Sequence, residues 1–428
     1  MKVLVVGGGG REHALAWKAA RSDRVEKVFV APGNAGTARE RKVENIDIGS
    51  GDLEALVRFS KDQRVHLTIV GPEMPLVQGI RDVFDRAGLR CFGPSGKASQ
   101  LEGSKAFAKD FLSRNHIPTA FYGTFDEPEA ARRYIREHGT PLVIKADGLA
   151  AGKGVIIAES EDEAVSVTKE MLSGKAFGEA GRKVVMEEFL RGEEASFIVM
   201  VDGRNILPLA TSQDHKAIYD GDTGPNTGGM GAYSPAPVVT PEIYDRAMKE
   251  VIEPTVRGMA AEGYPYTGFL YAGLMISSDG TPKVLEYNCR FGDPETQPIL
   301  LRLKSDLVEM CLAALDGRLG EIRAEWDDRA ALGVVMAAGG YPGPYRTGDA
   351  ISGLPQRESG DLKIFHAGSS IQDERIITSG GRVLCVTALG ETVGLAQARA
   401  YDMVRQITWD DACYRTDIGY RAVAREKA

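Results

Sequence analysis

Residues 284 to 297 read Val-Leu-Glu-Tyr-Asn-Cys-Arg-Phe-Gly-Asp-Pro-Glu-Thr-Gln. On a strand, alternation puts Glu286, Asn288 and Arg290 on one face while Leu285 and Tyr287 pack the other way. Two oxygen donors two residues apart suit Mg²⁺, which takes a few protein oxygens and completes its shell with phosphate oxygens and water. A guanidinium beside them would neutralise charge that builds up during phosphoryl transfer. The competing reading is a solvated strand face with an ion pair along it. The run into the unusual turn Phe-Gly-Asp-Pro-Glu favours chemistry.

Two glycine loops offer phosphate chemistry of different kinds. Gly7-Gly8-Gly9-Gly10-Arg11-Glu12-His13 stands where a dinucleotide fingerprint would, but the third required glycine falls on His13 or Glu12. The second strand also ends in Ala31-Pro32-Gly33-Asn34 rather than in an acidic residue for a ribose, so NAD is disfavoured. A glycine-opened helix start can still hold an anion, or it can be only a tight turn. The second loop, Asp147 to Gly154, lies between two strands and is therefore no Walker A loop, which needs a following helix. Lys145 before it and Lys153 within it set two cations beside flexible amides, an arrangement that could close over a triphosphate. A hairpin with two solvated lysines is the plainer alternative.

Glu187-Glu188-Phe189-Leu190 ends an apolar strand and leads into Arg191-Gly192-Glu193-Glu194. Backbone at such a strand end can read an adenine edge, and a carboxylate just beyond can accept from ribose hydroxyls; solvated acids at a hinge are equally common. Asp214, His215 and Lys216 form a second polar knot. None of the six histidines pairs with Ser or Cys in a nucleophile motif, so covalent enzyme catalysis is not supported.

The elements that must position these groups can be read in outline. Apolar β-rich runs at 3–6, 28–30 and 67–70 alternate with helical stretches at 13–20 and 53–59, which predicts parallel strands with crossover helices. A short strand at 89–92 closes this unit near residue 102. Residues 104–114 read as an amphipathic helix with Ser104 as N-cap. From Pro141 a hairpin with a long mobile loop is expected, then a helix over 161–172 and strands over 183–188 and 195–201. The Gly/Asp/Thr/Pro-dense segment 214–237 has almost no periodicity, and long loops of this kind in compact domains are usually functional or disordered. Strands over 271–276 and 283–287 and a helix over 307–315 follow. The Gly/Pro-punctuated tail from about residue 325 predicts a separate small antiparallel domain.

A chain of 428 residues, 43% hydrophobic and 26% charged, has globular composition and length for roughly three domains. The formal charge of −8 argues against a nucleic-acid partner. No run approaches the length of a membrane helix and the opening residues lack a secretory signal, so a cytoplasmic protein is expected. The five cysteines form no CxxC pair and no zinc spacing, which fits reduced thiols, mostly core filler.

The ordered set of motifs resembles the phosphoribosylamine–glycine ligase family of the ATP-grasp superfamily. It comprises Gly-Arg-Glu-His at 10–13, Pro-Gly-Asn-Ala-Gly at 32–36, Gly-Pro-Glu at 71–73, Lys145 to Gly154 and Gln-Asp-His-Lys at 213–216. Gly-Pro-Asn-Thr-Gly-Gly-Met-Gly at 224–231 and Arg-Phe-Gly-Asp-Pro-Glu at 290–295 complete it. The resemblance implies an α/β and α+β multidomain fold. Its parts would be a Rossmann-like pre-ATP-grasp domain over 1–102, an ATP-grasp region over 103–324 with an inserted lid at about 120–190, and a β-rich domain over 325–428. It implies that glycine is ligated to 5-phosphoribosylamine through glycyl phosphate, with ATP and Mg²⁺ or Mn²⁺, by a monomer. Lys105 and Lys145 would contact nucleotide phosphates, Gly152, Lys153 and Gly154 would form the tip of the closing loop, and Glu187, Glu188, Phe189 and Leu190 the adenine hinge. Glu193 or Glu194 would take the ribose, and Glu286 and Asn288 the metal. Asp214 and Arg290 would orient glycine and, with Lys145, make the catalytic set. Gly10, His13, Asn34, Glu73, Lys216 and Gly229 would serve the substrates. Cys289 departs from the small or aliphatic residue expected there, but points away from the metal.

The alternatives are another ATP-grasp ligase, a dinucleotide-dependent oxidoreductase and a noncatalytic nucleotide-binding module. Phosphate release with different acids and amines separates the first, nicotinamide absorbance the second, and ATP binding without phosphate release the third.

Overall fold

The first apolar run becomes the strand Lys2–Gly7, central in a sheet covered on both faces, which is why its residues need no alternation. The computed structural model describes residues 1–150, 154–174, 178–358 and 360–427. Its first sheet is parallel, with strands in the order Val43–Asn45, Lys27–Pro32, Lys2–Gly7, Leu67–Val70 and Cys91–Phe92. The chain order reverses between Lys2–Gly7 and Leu67–Val70, and in such sheets ligands bind beyond the carboxyl ends at that point. Gly8 to Gly10 and Gly71 to Glu73 follow those two ends.

The helix Gly10–Ala20 starts three residues earlier than the sequence predicts, because Glu12 supplies its own cap: Gly9 N–H donates to Glu12 Oε2 at 2.6 Å. That carboxylate takes the place at the helix start where an anion could have sat.

A second unit carries the expected hairpin. Tyr122–Phe125, Val184–Glu188, Leu142–Ala146 and Val155–Ala158 form an antiparallel sheet in that order, backed by helices Pro128–His138 and Glu161–Leu172. Ile135, Leu142, Ile144, Met171 and Met186 give it a core of its own. Each such side chain contributes about 1.5–3 kcal/mol on full burial, so this cluster fastens the two helices to the sheet.

Facing it is a second antiparallel sheet, Ile206–Pro208, Glu193–Asp202, Thr267–Ile276 and Pro282–Asn288. A bulge at Gly273/Leu274 interrupts the pairing, but Glu286 opposite Gly273 and Asn288 opposite Tyr271 remain two residues apart on one side. Arg290 lies past the strand's last residue, so strand alternation does not place it, contrary to the expectation from sequence.

The C-terminal sheet has the order Gln213–Asp214, Gly231–Ser234, Ala330–Ala337, Arg382–Gly390, Leu362–His366. The tail is antiparallel as predicted, but not self-contained: two of these strands come from the segment that shows almost no periodicity. That segment also pairs Ala217–Tyr219 with Thr223–Asn226. The polar knot is thereby sewn into the C-terminal sheet. Among the described residues no helix is long and apolar enough to cross a membrane.

Candidate active site

Lys105 begins the helix Lys105–Arg114, and the glycine-rich loop itself anchors that start. Ser104 Oγ accepts from Phe107 N–H at 3.1 Å and donates to Asp147 Oδ1 at 2.9 Å, and Asp147 Oδ1 also accepts from Ala106 N–H at 2.8 Å. A capping arrangement of this kind is worth about 1 kcal/mol, and here it ties the helix to the loop's first residue. Lys105 Nζ then donates to Gly148 O at 3.0 Å, and burial lowers its pKa. Gly154 is buried at the far end of the loop; Gly152 and Lys153 lie outside the described residues.

Lys145 comes from the neighbouring strand and is 7% exposed. Its ammonium donates to Leu285 O at 3.1 Å and pairs with Glu187 Oε1 at 2.9 Å. Glu187 therefore meets lysines with its side chain, while its backbone lies in a strand paired on both sides, opposite Tyr122 and Val143. Glu188 pairs with Lys283 at 3.5 Å, Phe189 stacks under Arg191 with 5.6 Å from guanidinium to ring, and Leu190 is buried. Of the two ribose candidates, Glu193 is paired with Arg425 at 3.1 Å and Glu194 with Lys216 at 2.9 Å.

Lys216 also lies 3.5 Å from Glu286. Burial alone would raise the Glu286 pKa, but Lys216, Lys145, Lys105 and Arg290 together hold it at about 2. Asp214 is pushed the other way, to about 8, by burial and then by Glu295, Glu194 and Glu286, against the pull of Lys216. Carboxylate, amide and four cations thus converge from four separate stretches of chain. Arg290 is already engaged: Nε lies 3.4 Å from Glu73, Nη2 3.1 Å from Glu102, and Nη1 donates to Phe291 O at 3.3 Å, which leaves two of its five N–H donors for a ligand. Its contacts raise its pKa further, while Glu73 is held at about 2 by Arg290 and Arg11 against the effect of burial. Cys289 turns from this face toward Glu102, its Sγ 3.0 Å from Oε2.

A second cavity, of about 400 Å³, opens where the parallel sheet meets the C-terminal domain; Gly8, Gly9, Gly33, Asn34, Asp293, Ser369 and Arg382 line it. Asn34 is braced, its Oδ1 accepting from Gly36 and Thr37 N–H and its Nδ2 donating to Gly8 O and His366 O. His13 stands behind the cavity rather than in its wall. It is 1% exposed, its Nδ1 accepts from His366 N–H at 2.8 Å, and its Nε2 therefore carries the hydrogen toward Glu40 at 3.2 Å. Gly10 packs against Gln297, where a Cβ would come within 2.7 Å of the amide nitrogen. Gly229 sits at φ +112, against Pro294.

The structure gathers Lys105, Lys145, Asp214, Lys216 and Arg290 around Glu286. Sequence reasoning named each of them, for roles divided among nucleotide, metal and substrates. It missed Lys109, Glu102 and Arg382. Lys109 had a signal, since it follows Lys105 by one helical turn on the same face. Arg382, in Ser-Gly-Gly-Arg, had none.

A hairpin lid and an antiparallel sheet that enclose lysines and carboxylates, placed after a parallel α/β domain, define an ATP-grasp protein. Family models described as phosphoribosylglycinamide synthetase N domain, ATP-grasp (A) domain and C domain match residues 1–102, 103–296 and 331–421. The chain belongs to the phosphoribosylglycinamide synthetase family. It is similar to the phosphoribosylamine–glycine ligases of Vibrio parahaemolyticus, 65% identical over 427 residues, and of Escherichia coli, 66% identical over 428, with 100% of each chain covered. Its structure is similar to that of phosphoribosylamine–glycine ligase from Thermotoga maritima, with TM-score 0.86 and 36% identity over 98% of this chain and 100% of that one. The biotin carboxylase of Campylobacter jejuni, at TM-score 0.75 and 14% identity over 96% and 92% of the two chains, shares the fold.

Proposed function

We propose that this chain ligates glycine to 5-phosphoribosylamine in de novo purine biosynthesis, consuming ATP and releasing glycinamide ribonucleotide, ADP and phosphate. The observation that carries the reading is the ionised Glu286 ringed by Lys216, Lys145, Lys105 and Arg290, a field suited to polyphosphate and a carboxylate together. Full-length identity to ligases of that name narrows the substrates. With no spanning helix among the described residues, the cytoplasm is the fitting compartment.

A carboxylate is a poor electrophile. Glycine's carboxyl oxygen first attacks the γ-phosphorus of ATP, ADP leaves, and glycyl phosphate forms; the amine of phosphoribosylamine then attacks its carbonyl carbon and phosphate departs. Lys105 and Lys145 hold the nucleotide phosphates by position and charge. Glu187 to Leu190 offer hinge backbone to adenine, and Glu194 or Glu193 the ribose acceptor. Asp214 takes the glycine ammonium, whose positive charge favours release of the proton that burial keeps on its carboxyl. Arg290 turns its remaining N–H donors to the glycine carboxylate while Glu73 and Glu102 hold the guanidinium in place. The cavity lined by Asn34 and Arg382 receives phosphoribosylamine beside Glu73, and the loop containing Gly152, Lys153 and Gly154 shuts out water that would hydrolyse the acyl phosphate.

Among the described residues no group of three or more His, Cys, Asp or Glu is set to hold a metal. One ionised carboxylate and one amide, Glu286 and Asn288, fit an ion that takes its remaining oxygens from phosphates and water, Mg²⁺ or Mn²⁺. Bound there, it supplies positive charge to the phosphate oxygens during transfer.

The test uses glycine labelled with heavy oxygen in its carboxylate. Label is expected in the released phosphate; label confined to amide product and water overturns the scheme.

A further inference from the structure

Lys109 has no part in the scheme above, yet it is among the most enclosed ammoniums in the chain. It is 3% exposed, it donates to Thr119 Oγ1 at 2.7 Å, and it lies 2.8 Å from Glu187 Oε2. Thr119 is itself fixed by donating to Val284 O at 2.7 Å. The other oxygen of the same carboxylate, Oε1, belongs to Lys145 at 2.9 Å. Glu187 is 2% exposed. One buried carboxylate is thus shared by two buried lysines from two different elements, and one of them, Lys145, also lies in the field of Glu286.

The sharing matters because Lys145 has competing duties. A carboxylate out of water with Lys145 as its sole partner would hold that ammonium tightly, since a buried charge left uncompensated is strongly unfavourable. A nucleotide phosphate would then have to displace it. With Lys109 in place, Glu187 stays compensated whatever Lys145 does. Burial pulls the Lys109 pKa down and Glu187 pulls it back, to about 8, so the group is charged at neutral pH.

We infer that Lys109 is a positioning residue: by holding Glu187 Oε2 and Thr119 it frees the Lys145 ammonium to bind nucleotide phosphate. The inference rests on the reading of Lys145 as a phosphate ligand. It assigns Lys109 no contact with any substrate.

The test is a double-mutant cycle on the full chain with Lys109→Met, Glu187→Gln and the pair, reading the dissociation constant of ATP by calorimetry without glycine, and KM for ATP and for glycine. Lys109→Met is expected to weaken ATP by about tenfold or more, in keeping with a broken buried pair, while KM for glycine moves by less than about twofold. In the Glu187→Gln background the same change should cost less than about threefold, because no carboxylate is left to capture Lys145. An equal loss in both backgrounds, or no loss in either, overturns the inference. Should Lys109→Met fail to fold, the double variant decides. If it folds and binds ATP within about threefold of Glu187→Gln the coupling stands, and if it also fails to fold Lys109 serves the fold and the inference is lost. Lys145→Met binding ATP as tightly as the parent would instead sink the reading of Lys145, a separate outcome from the cycle.

Discussion

Arg382 grips Asp293 twice: Nη2 donates to Oδ2 at 2.9 Å and Nη1 to the carbonyl oxygen at 2.7 Å, across 89 residues of chain. Nη1 also donates to Gly228 O at 2.6 Å. One guanidinium from the C-terminal sheet therefore fixes both the turn after the acidic strand and the glycine-dense loop, at the wall of the cavity assigned to phosphoribosylamine. Arg382→Ala should lower kcat/KM for phosphoribosylamine by about 10- to 150-fold, the equivalent of one or two charge-assisted hydrogen bonds, and change KM for ATP far less. Arg382→Lys should recover little, because an ammonium cannot reproduce the fork. Steady-state kinetics with each substrate varied decides it; equal effects on both substrates would mean that Arg382 merely supports the fold.

Three histidines are buried neutral, and acid should find them. Burial lowers the pKa of His13 and of His215, against their hydrogen bonds to the Glu40 and Asp222 carboxylates, and holds His366 at about 3 with help from the positive charge of nearby Arg39 and Lys363. In the unfolded chain all three take up protons near the ordinary histidine value of about 6.5. A depressed base contributes stability that is whole above the unfolded value and lost as pH falls below it. Two buried carboxyls, Asp214 and Glu102, oppose them, because burial raises their pKa values and each tends to keep a proton in the folded chain. The three histidines outnumber them, so stability should fall as pH drops below about 6. Chemical denaturation from pH 7.5 to 5 checks this, and a flat profile would mean that the histidines are not buried neutral. His13→Gln should make the profile shallower, because one depressed base is removed.

Much of this was legible in the chain, and the exceptions have physical causes. The helix Glu161–Leu172 and the Ser104 cap agree with the pattern because a twelve-residue amphipathic period and a cap are local signals. Glu286 and Asn288 share a side as alternation requires, whereas Arg290 is placed by Glu73 and Glu102 beyond the strand's end. Gln213–Asp214 and Gly231–Ser234, strands of two and four residues, are too short to carry a period and owe their existence to the sheet they join. His13 carries the look of a substrate group, but its surroundings come from His366 and Glu40, which local sequence cannot bring near it.

Gly229 makes the sharpest case for a residue that must have no side chain. It sits at φ +112, and a Cβ there would fall 2.3 Å from Pro294 Cδ, a ring atom with no rotamer to escape by. Relief would require the Asp293–Pro294 turn to shift, and with it the carboxylate that Arg382 holds. Gly221, in the same segment at φ +70, offers the control, because a Cβ there meets nothing within 4 Å. Gly221→Ala should cost about 1 kcal/mol of backbone strain and leave turnover nearly intact. Gly229→Ala combines strain with overpacking, for about 2–6 kcal/mol, and should depress kcat/KM for phosphoribosylamine by more than about a hundredfold even where the chain remains folded. Thermal unfolding and steady-state kinetics on the two variants side by side decide the matter. Equal melting temperatures and equal turnover would show that the glycine-dense loop can move away from the turn, and that Gly229 is not what holds the two in register.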